Sequence, residues 1–394
     1  MPKRKRTASS NRTKGDGQGT MRAVVKTGPG PGRSHTEVRD VPIPVPGPGQ
    51  VRIKVLATAV CGTDKHIYGW DPSIQAAVKP PRIYGHEFCG TIDAFGPEGP
   101  KNSLASRAER VGLQEGQYVS CEMHVVCGHC RPCRTGNGHV CENTRILGLH
   151  GDGCFAQYVV VPVSNVITLD RQIAPPKIGA FLDALGNAVH TTQVTDLSGK
   201  SVAILGYGPI GAMCASIAEV SGAGQLFITD VAPHAVKNAE QWARRRKLSN
   251  VTVFDLGKTA PDDVVESVHR LTDGGVDVVL EIAGAEASVN LGLRLVRYGG
   301  FLSLLGLPRG KDITLHDYTK NVIFKGVTIQ GIIGRRMFST WYKMLDLLRA
   351  GLDVDYLVSR EYDSLEPFHE AMNLLESRRA MKIVFYPNGK SGPT

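Results

Sequence analysis

The sequence predicts an α/β protein of two domains: a mostly β first part, then a doubly wound parallel sheet, then a short mixed segment. Three observations predict it. The chain has 394 residues, more than one compact core ordinarily organises. Residues 21–60 alternate apolar and polar, with Pro and Gly crowded between Pro42 and Gly49, the pattern of antiparallel strands and turns. Beyond about residue 180, short apolar runs alternate with helical stretches, the pattern of a parallel sheet covered by helices.

The elements follow in order. Ala23-Val24-Val25-Lys26 and Val51-Arg52-Ile53-Lys54-Val55 read as strands, and strand-like runs continue at Gly90-Thr91-Ile92, Gln117–Ser120 and Ala156–Val161. Ser201–Leu205 is a short apolar run suited to a buried parallel strand. A helix from Pro209 to Val220 ends at Gly222; the strand Leu226–Asp230, a helix through Lys247 and the strand Val251–Phe254 follow. Further strands are expected at Val276–Ile282 and Phe301–Leu305. The last segment holds helices near Phe338–Ala350 and Pro367–Glu376 and a strand Lys382–Tyr386, and no repeat is visible.

Composition narrows the class. Apolar content is 42% and charged content 21%, as in soluble globular proteins. No apolar stretch reaches the roughly 20 residues that span a bilayer, and the N-terminus lacks the apolar core of a secretory signal. The expectation is a cytoplasmic protein with no membrane partner. Of the net charge of +9, +5 comes from residues 1–20, where Lys3, Arg4, Lys5, Arg6, Arg12 and Lys14 stand against Asp16. Short basic runs of this kind match nuclear-localisation or nucleic-acid patches by chance. A solvated, disordered tail is the preferred reading, with no nucleic-acid partner.

The nine cysteines are unevenly spread. Four fall in Cys127-x2-Cys130-x2-Cys133-x7-Cys141. In a long cytosolic chain this reads as metal ligation rather than disulfides. Four thiolates close a tetrahedron around zinc and leave no open position, so the expected role is structural. Arg131, Arg134 and Arg145 flank the set and would offset its charge. An iron–sulfur cluster is the other metal group such a set can hold.

A second metal set is scattered: Cys61, the pair His86-Glu87, and Asp183. A thiolate, an imidazole and a carboxylate can hold zinc and leave one position open for Lewis-acid chemistry. Singly, each residue reads as core or surface, and only their order and company give them weight. Gly206-Tyr207-Gly208-Pro209-Ile210-Gly211 lies between an expected strand and helix. There the first Gly makes the turn, the second admits a pyrophosphate, and the third lets helix and strand approach. Asp230 ends the next strand, 24 residues after Gly206. A carboxylate there accepts from both ribose hydroxyls and repels a 2′-phosphate, so NAD is favoured over NADP.

Cys61-Gly62-Thr63-Asp64, Gly85-His86-Glu87, the four-cysteine loop and the Gly-x-Gly-x-x-Gly motif, in that order, resemble the zinc-containing medium-chain alcohol dehydrogenase family over roughly residues 21–390. The resemblance implies a GroES-like β-barrel catalytic domain plus a Rossmann doubly wound parallel-sheet domain. The implied bounds are a tail at 1–20, the catalytic domain with its zinc loop at 21–182, the NAD domain at 183–336, and a return to the catalytic domain at 337–394. It implies two zinc ions: a catalytic one at Cys61, His86 and Glu87, with Asp183 as a further ligand or a carboxylate for proton transfer, and a structural one at Cys127, Cys130, Cys133 and Cys141. Thr63 and His66 match a proton-relay pair. Ile210, Leu305, Gly306, Leu307, Ile332 and Ile333 match positions around the nicotinamide, and plain sheet core is the other reading for them.

Within the family the chain is most similar to members that oxidise L-threonine. The likeness is carried by Cys61–Tyr68, Gly186-Asn187-Ala188-Val189-His190-Thr191, Gly208–Gly211 and the unusual Gly334-Arg335-Arg336-Met337-Phe338-Ser339-Thr340-Trp341-Tyr342-Lys343-Met344. The implied substrate is L-threonine, and the family implies a homotetramer. Three departures stand out: Ala235 where an Arg near the adenosine is usual, a long polar stretch at Gly96–Gly116 read as an extended surface loop, and Ala184 where Pro is common. The alternatives are a polyol or 2,3-butanediol dehydrogenase, and a non-catalytic zinc-bearing regulatory or nucleic-acid-binding protein.

Overall fold

The computed structural model describes residues 19–97, 112–308 and 310–390. The expected basic tail and most of the expected extended loop lie outside these residues. In chain order the first part supplies β1 (Thr20–Lys26), β2 (Thr36–Pro42), β3 (Gln50–Ala59), β4 (Arg82–Ile83), β5 (Glu87–Phe95), β6 (Tyr118–Cys121), β7 (His124–Val125), β8 (Arg145–Ile146), β9 (Tyr158–Pro162) and β10 (Val166–Thr168). The middle supplies β11 (Ser201–Leu205), β12 (Gln225–Asp230), β13 (Val251–Asp255), β14 (Val276–Glu281), β15 (Val296–Leu304) and β16 (Thr328–Gly331), and the end supplies β17 (Val358–Tyr362) and β18 (Lys382–Phe385).

Strand β3 is the hub of the first part. Along one edge it pairs antiparallel with β5; along the other it takes β9 at residues 50–54 and β18 at Thr58 and Ala59. Its alternation dictates which face is covered. Val51, Ile53 and Val55 are fully buried against Phe88, Ile92, Val119 and Val159, while Arg52 and Lys54 between them are only partly covered. The resulting seven-stranded sheet meets the small β2-β1-β4 sheet through the Ala23–Ala156 bridge.

The end of the chain completes this part. Phe385 of β18 and Phe368 of the helix Phe368–Glu376 join Tyr84 and Phe155 in one aromatic cluster, with ring centroids 5.3–5.8 Å apart. Edge-to-face and stacked pairs at that spacing add to the burial itself.

The middle sheet is parallel throughout, in the order β13-β12-β11-β14-β15-β16. Counted from β11 this is the 3-2-1-4-5-6 winding of dinucleotide-binding folds. The central strands β11, β12 and β14 read as nearly continuous apolar runs because both their faces are covered. Val202 and Ile204 pack with the helices Leu182–Thr192 and Pro209–Val220. Ala203 and Leu205 pack on the other face with Pro261–Thr272 and Glu286–Leu295.

Three of those four helices escaped the sequence reading for physical reasons. In Leu182–Thr192 every residue but Asn187 is buried, so no polar face marks a helical period. Pro261–Thr272 buries only Val264 and Val268, and Glu286–Leu295 is short and runs directly into β15. β15 also begins at Val296 rather than at Phe301. Among the described residues no helix is long and apolar enough to cross a membrane.

Phe368 is fully buried at the centre of the aromatic cluster. Phe368→Ala is expected to cost about 3–5 kcal/mol, read as a lowered midpoint in thermal unfolding; an unchanged midpoint contradicts the assigned role of the C-terminal return.

Candidate metal and dinucleotide site

The four cysteines converge. One ligand atom from each of Cys127, Cys130, Cys133 and Cys141 lies within 4.8 Å of the others. Local geometry explains this. Gly128 turns the chain with φ +75°, the short helix Arg131–Arg134 presents Cys133, and the turn Gly138–Val140 delivers Cys141. Backbone N–H groups point at sulfur: Cys130 N donates to Cys127 Sγ at 3.4 Å, and Asn143 N to Cys141 Sγ at 3.3 Å. N–H donors at His129 and Cys130 favour the thiolate at Cys127 and lower its pKa. Arg131, Arg134 and Arg145 are exposed, and Arg145 donates to the His150 carbonyl.

Of the four scattered residues, three come together. One ligand atom from each of Cys61, His86 and Glu87 lies within 4.8 Å of the others. Sheet register is the cause. Cys61 leaves the end of β3 and caps the helix Gly62–Gly69, while Glu87 opens β5 directly opposite Ala59. Both ring nitrogens of His86 and Oε1 of Glu87 are buried without a hydrogen-bond partner, a state too costly to persist unless something fills it.

The surroundings are anionic. Asp64 is fully buried; its Oδ2 accepts from Cys61 N at 2.8 Å, and its Oδ1 lies 3.8 Å from His86 Nδ1. Burial alone would keep the His86 ring neutral, yet the charges of Asp64 and Cys61 hold it up at about 10. Burial pushes Asp64 up to about 6 against the pull of His86. A divalent cation held by thiolate, imidazole and carboxylate fits this arrangement: it would partner one ring nitrogen of His86 and the Glu87 carboxylate and satisfy the excess negative charge.

Asp183 does not join this set of three. It is 3% exposed, and its Oδ1 lies 2.8 Å from Arg335 Nη2. Thr63 and His66 lie one turn apart on the helix Gly62–Gly69 and so share a face. Thr63 Oγ1 is 3.8 Å from Cys61 Sγ, and His66, exposed, has Nδ1 3.3 Å from Asp71 Oδ2.

The nucleotide-binding residues collect at the C-terminal edge of the parallel sheet, where such folds take ligands. Gly206 follows β11 with φ +99°, and Gly208 caps the helix Pro209–Val220, whose first N–H groups face outward for an anion. A Cβ on Gly211 would sit 1.9 Å from the Gly206 carbonyl oxygen. Asp230 ends β12 and accepts from Tyr207 N at 2.7 Å and Ala232 N at 2.8 Å, which orients its carboxylate. Leu305, Gly306 and Leu307 leave β15, and Ile332 and Ile333 leave β16. Leu307 is 88% and Ile333 56% exposed, so these two are not sheet core; Ile210 is half-buried and Ile332 buried. Ala235 is buried inside its helix, while His234 and Lys237 are exposed.

The sequence reading missed three residues beside the metal set. Lys382 forms a buried ion pair with Glu87 Oε2 and donates to Val60 O at 3.2 Å. Its signal was a lone charge opening an apolar strand, Lys382-Ile383-Val384-Phe385. Asp64 stood within a quoted motif without a role. Arg335 stood within the unusual 334–344 segment, and nothing in the sequence said that it turns inward.

Comparison with known proteins agrees with this architecture. A model of the alcohol dehydrogenase GroES-like domain matches residues 47–171, and one of the zinc-binding dehydrogenase family matches residues 209–350. The chain is 40% identical to an L-threonine 3-dehydrogenase of Caldanaerobacter subterraneus, over 85% of this chain and 90% of that one. It is 41% identical to an L-threonine 3-dehydrogenase of Pyrococcus horikoshii over 84% and 89%, and 36% identical to one of Bacillus subtilis over 85% and 90%. Among solved structures, a zinc-binding dehydrogenase of Sinorhizobium meliloti bound to NADP superposes with a TM-score of 0.78 at 29% identity, covering 94% of this chain and all of that one. The 2R,3R-butanediol dehydrogenase of Bacillus subtilis gives 0.78 at 25%, covering 93% and 100%. The chain belongs to the zinc-containing alcohol dehydrogenase family.

Two outcomes are expected. Metal analysis should give two zinc ions per chain, and Cys61→Ser or Cys130→Ser should each leave one; two retained in Cys61→Ser would contradict the three-residue site. Gly211→Ala should lower the thermal midpoint and weaken dinucleotide binding by about tenfold or more, as loss of the close helix–strand approach requires. Unchanged binding in a titration of intrinsic fluorescence would contradict it.

Proposed function

We propose that this chain oxidises L-threonine at its β-hydroxyl with NAD, giving 2-amino-3-ketobutyrate and NADH. The observation that carries the chemistry is the Cys61, His86 and Glu87 set, with buried atoms that nothing else partners. The substrate rests on the relatives: chains named L-threonine 3-dehydrogenase are 36–41% identical over 84–86% of this one. When bound, zinc supplies a Lewis acid that lowers the pKa of the substrate hydroxyl.

The protein's own residues then have three tasks. Thr63 lies beside Cys61 and carries a hydroxyl able to take the substrate's proton. His66, one turn on and exposed, hands that proton to water, with Asp71 orienting its ring. Asp230 selects the cofactor: its oriented carboxylate accepts from ribose hydroxyls and repels a 2′-phosphate. Cys127, Cys130, Cys133 and Cys141 hold a second, structural zinc.

The reading extends to assembly. β16 is the open edge of the parallel sheet. Ile323, Phe324 and Ile329 lie exposed on and near it, and such an edge invites pairing with a second copy. A homotetramer in the cytoplasm, with neither a membrane nor a nucleic-acid partner, completes the proposal.

The test is a substrate panel. Purified protein with NAD should form NADH with L-threonine at a kcat/KM at least tenfold above that for sorbitol or 2,3-butanediol. Cys61→Ser should abolish turnover while keeping the fold. Preference for a polyol or diol would replace threonine as the substrate, and activity surviving in Cys61→Ser would remove the catalytic assignment.

A further inference from the structure

We propose that Arg335 is a positioning residue that holds the Asp183 carboxylate beside the Cys61, His86 and Glu87 set but off the metal, and that the Gly334–Met344 segment serves to seat it. The proposal rests on the metal-site part of the reading above, not on the identity of the substrate.

Arg335 is fully buried, and its N–H donors all face groups of the protein. Nε donates to Glu122 Oε2 at 3.0 Å, and Nη2 to Glu122 Oε1 at 2.6 Å. Nη1 donates to the Asp183 carbonyl at 3.0 Å and to Asn187 Oδ1 at 3.2 Å. Nη2 also lies 2.8 Å from Asp183 Oδ1, an ion pair rather than an aligned hydrogen bond, and 3.2 Å from His124 Nδ1, which is itself 2.7 Å from Glu122 Oε1. No donor is left for a substrate carboxylate, so Arg335 acts through its neighbours.

Glu122 is itself pinned. Trp341 Nε1 donates to its Oε2 at 2.8 Å, and His124 donates from its backbone N at 3.0 Å. Burial opposes the Glu122 charge, but Arg335 and His124 overcome it and keep the carboxylate well below the usual range. The two-pronged contact fixes the guanidinium plane and therefore the direction of its last N–H.

Arg335 is the largest of the positive charges that answer Asp183, ahead of His86. Neither of its carboxylate oxygens has a hydrogen bond that satisfies ordinary geometry, although the residue is buried beside His86 and Glu87. With Arg335 removed, the compensation left to a buried carboxylate lies on the His86 side, where the metal would sit. The chain also makes room for the arginine. Gly186, on the helix that carries Asp183, has no Cβ where one would meet Arg335 Cδ at 2.2 Å. Gly186 and the 334–344 segment, two separate features of the sequence, therefore meet at one contact.

The test uses cobalt(II) in place of zinc, with Cys61→Ser supplying the spectrum of the four-cysteine site as background. In Arg335→Met the visible bands of the Cys61 site should change as a carboxylate joins the metal, and loss of that metal to a chelator should slow by about tenfold or more. Adding Asp183→Asn to Arg335→Met should return both readouts to the wild-type pattern, and Arg335→Lys should fall between. A lowered thermal midpoint with unchanged bands and unchanged metal loss would make Arg335 structural only and overturn the proposal. If Arg335→Met does not fold, Gly186→Ala, which displaces the side chain without removing it, must shift the same bands; unchanged bands there overturn it equally. These readouts need no turnover, so a failure of threonine as substrate would not be mistaken for a failure of the positioning.

Discussion

A concentration of negative charge beyond the reach of water organises this chain. Asp64, Glu87 and Glu122 are fully buried and Asp183 nearly so, with the Cys61 sulfur among them. Burying isolated charges costs several kcal/mol each even after relaxation, so the fold must bring cations to them. It brings two, Lys382 against Glu87 and Arg335 against Glu122 and Asp183. Both come from the last part of the chain. That explains why the chain, after building the parallel sheet, returns to pair β18 with β3. The return closes the first sheet and delivers Lys382 in the same step. The charge left over is what a divalent cation at Cys61, His86 and Glu87 balances.

The dinucleotide edge is built by a different kind of physics. Its requirements are steric and dipolar: a glycine turn, a helix start, a helix close to a strand, and one oriented carboxylate. Side chains there do little beyond Asp230, and the backbone does the rest. Local sequence therefore carries most of the information. The metal site depends on register between β3 and β5 and on residues separated by some 300 positions, as with Glu87 and Lys382.

That difference governs how much could be read in advance. Five of the six parallel strands and Gly206–Gly211 with Asp230 were legible because turn chemistry and apolar runs are local signals; β16 was not read, and the start of β15 was placed five residues late. The cysteine loop was legible through its spacing. Cys61, His86 and Glu87 gained weight only from their order and a family likeness. The buried helix Leu182–Thr192 left no periodic trace, and the contact of Asp183, read as a metal ligand or a proton-transfer carboxylate, with Arg335 at 2.8 Å had no local signal. Arg335 and Lys382 were opaque because a long cation in sequence gives no sign of turning inward. Their partners, Glu122, Asp183 and Glu87, are far away along the chain.

The account stands or falls on where the metal sits. A crystal structure of the zinc-loaded protein, with anomalous scattering recorded at the zinc edge, locates it directly. The account requires one peak among Cys127, Cys130, Cys133 and Cys141, and a second among Cys61, His86 and Glu87, with the Asp183 carboxylate resting on Arg335. A second peak ligated by Asp183, with Arg335 turned away, or no peak beside Cys61, would contradict it.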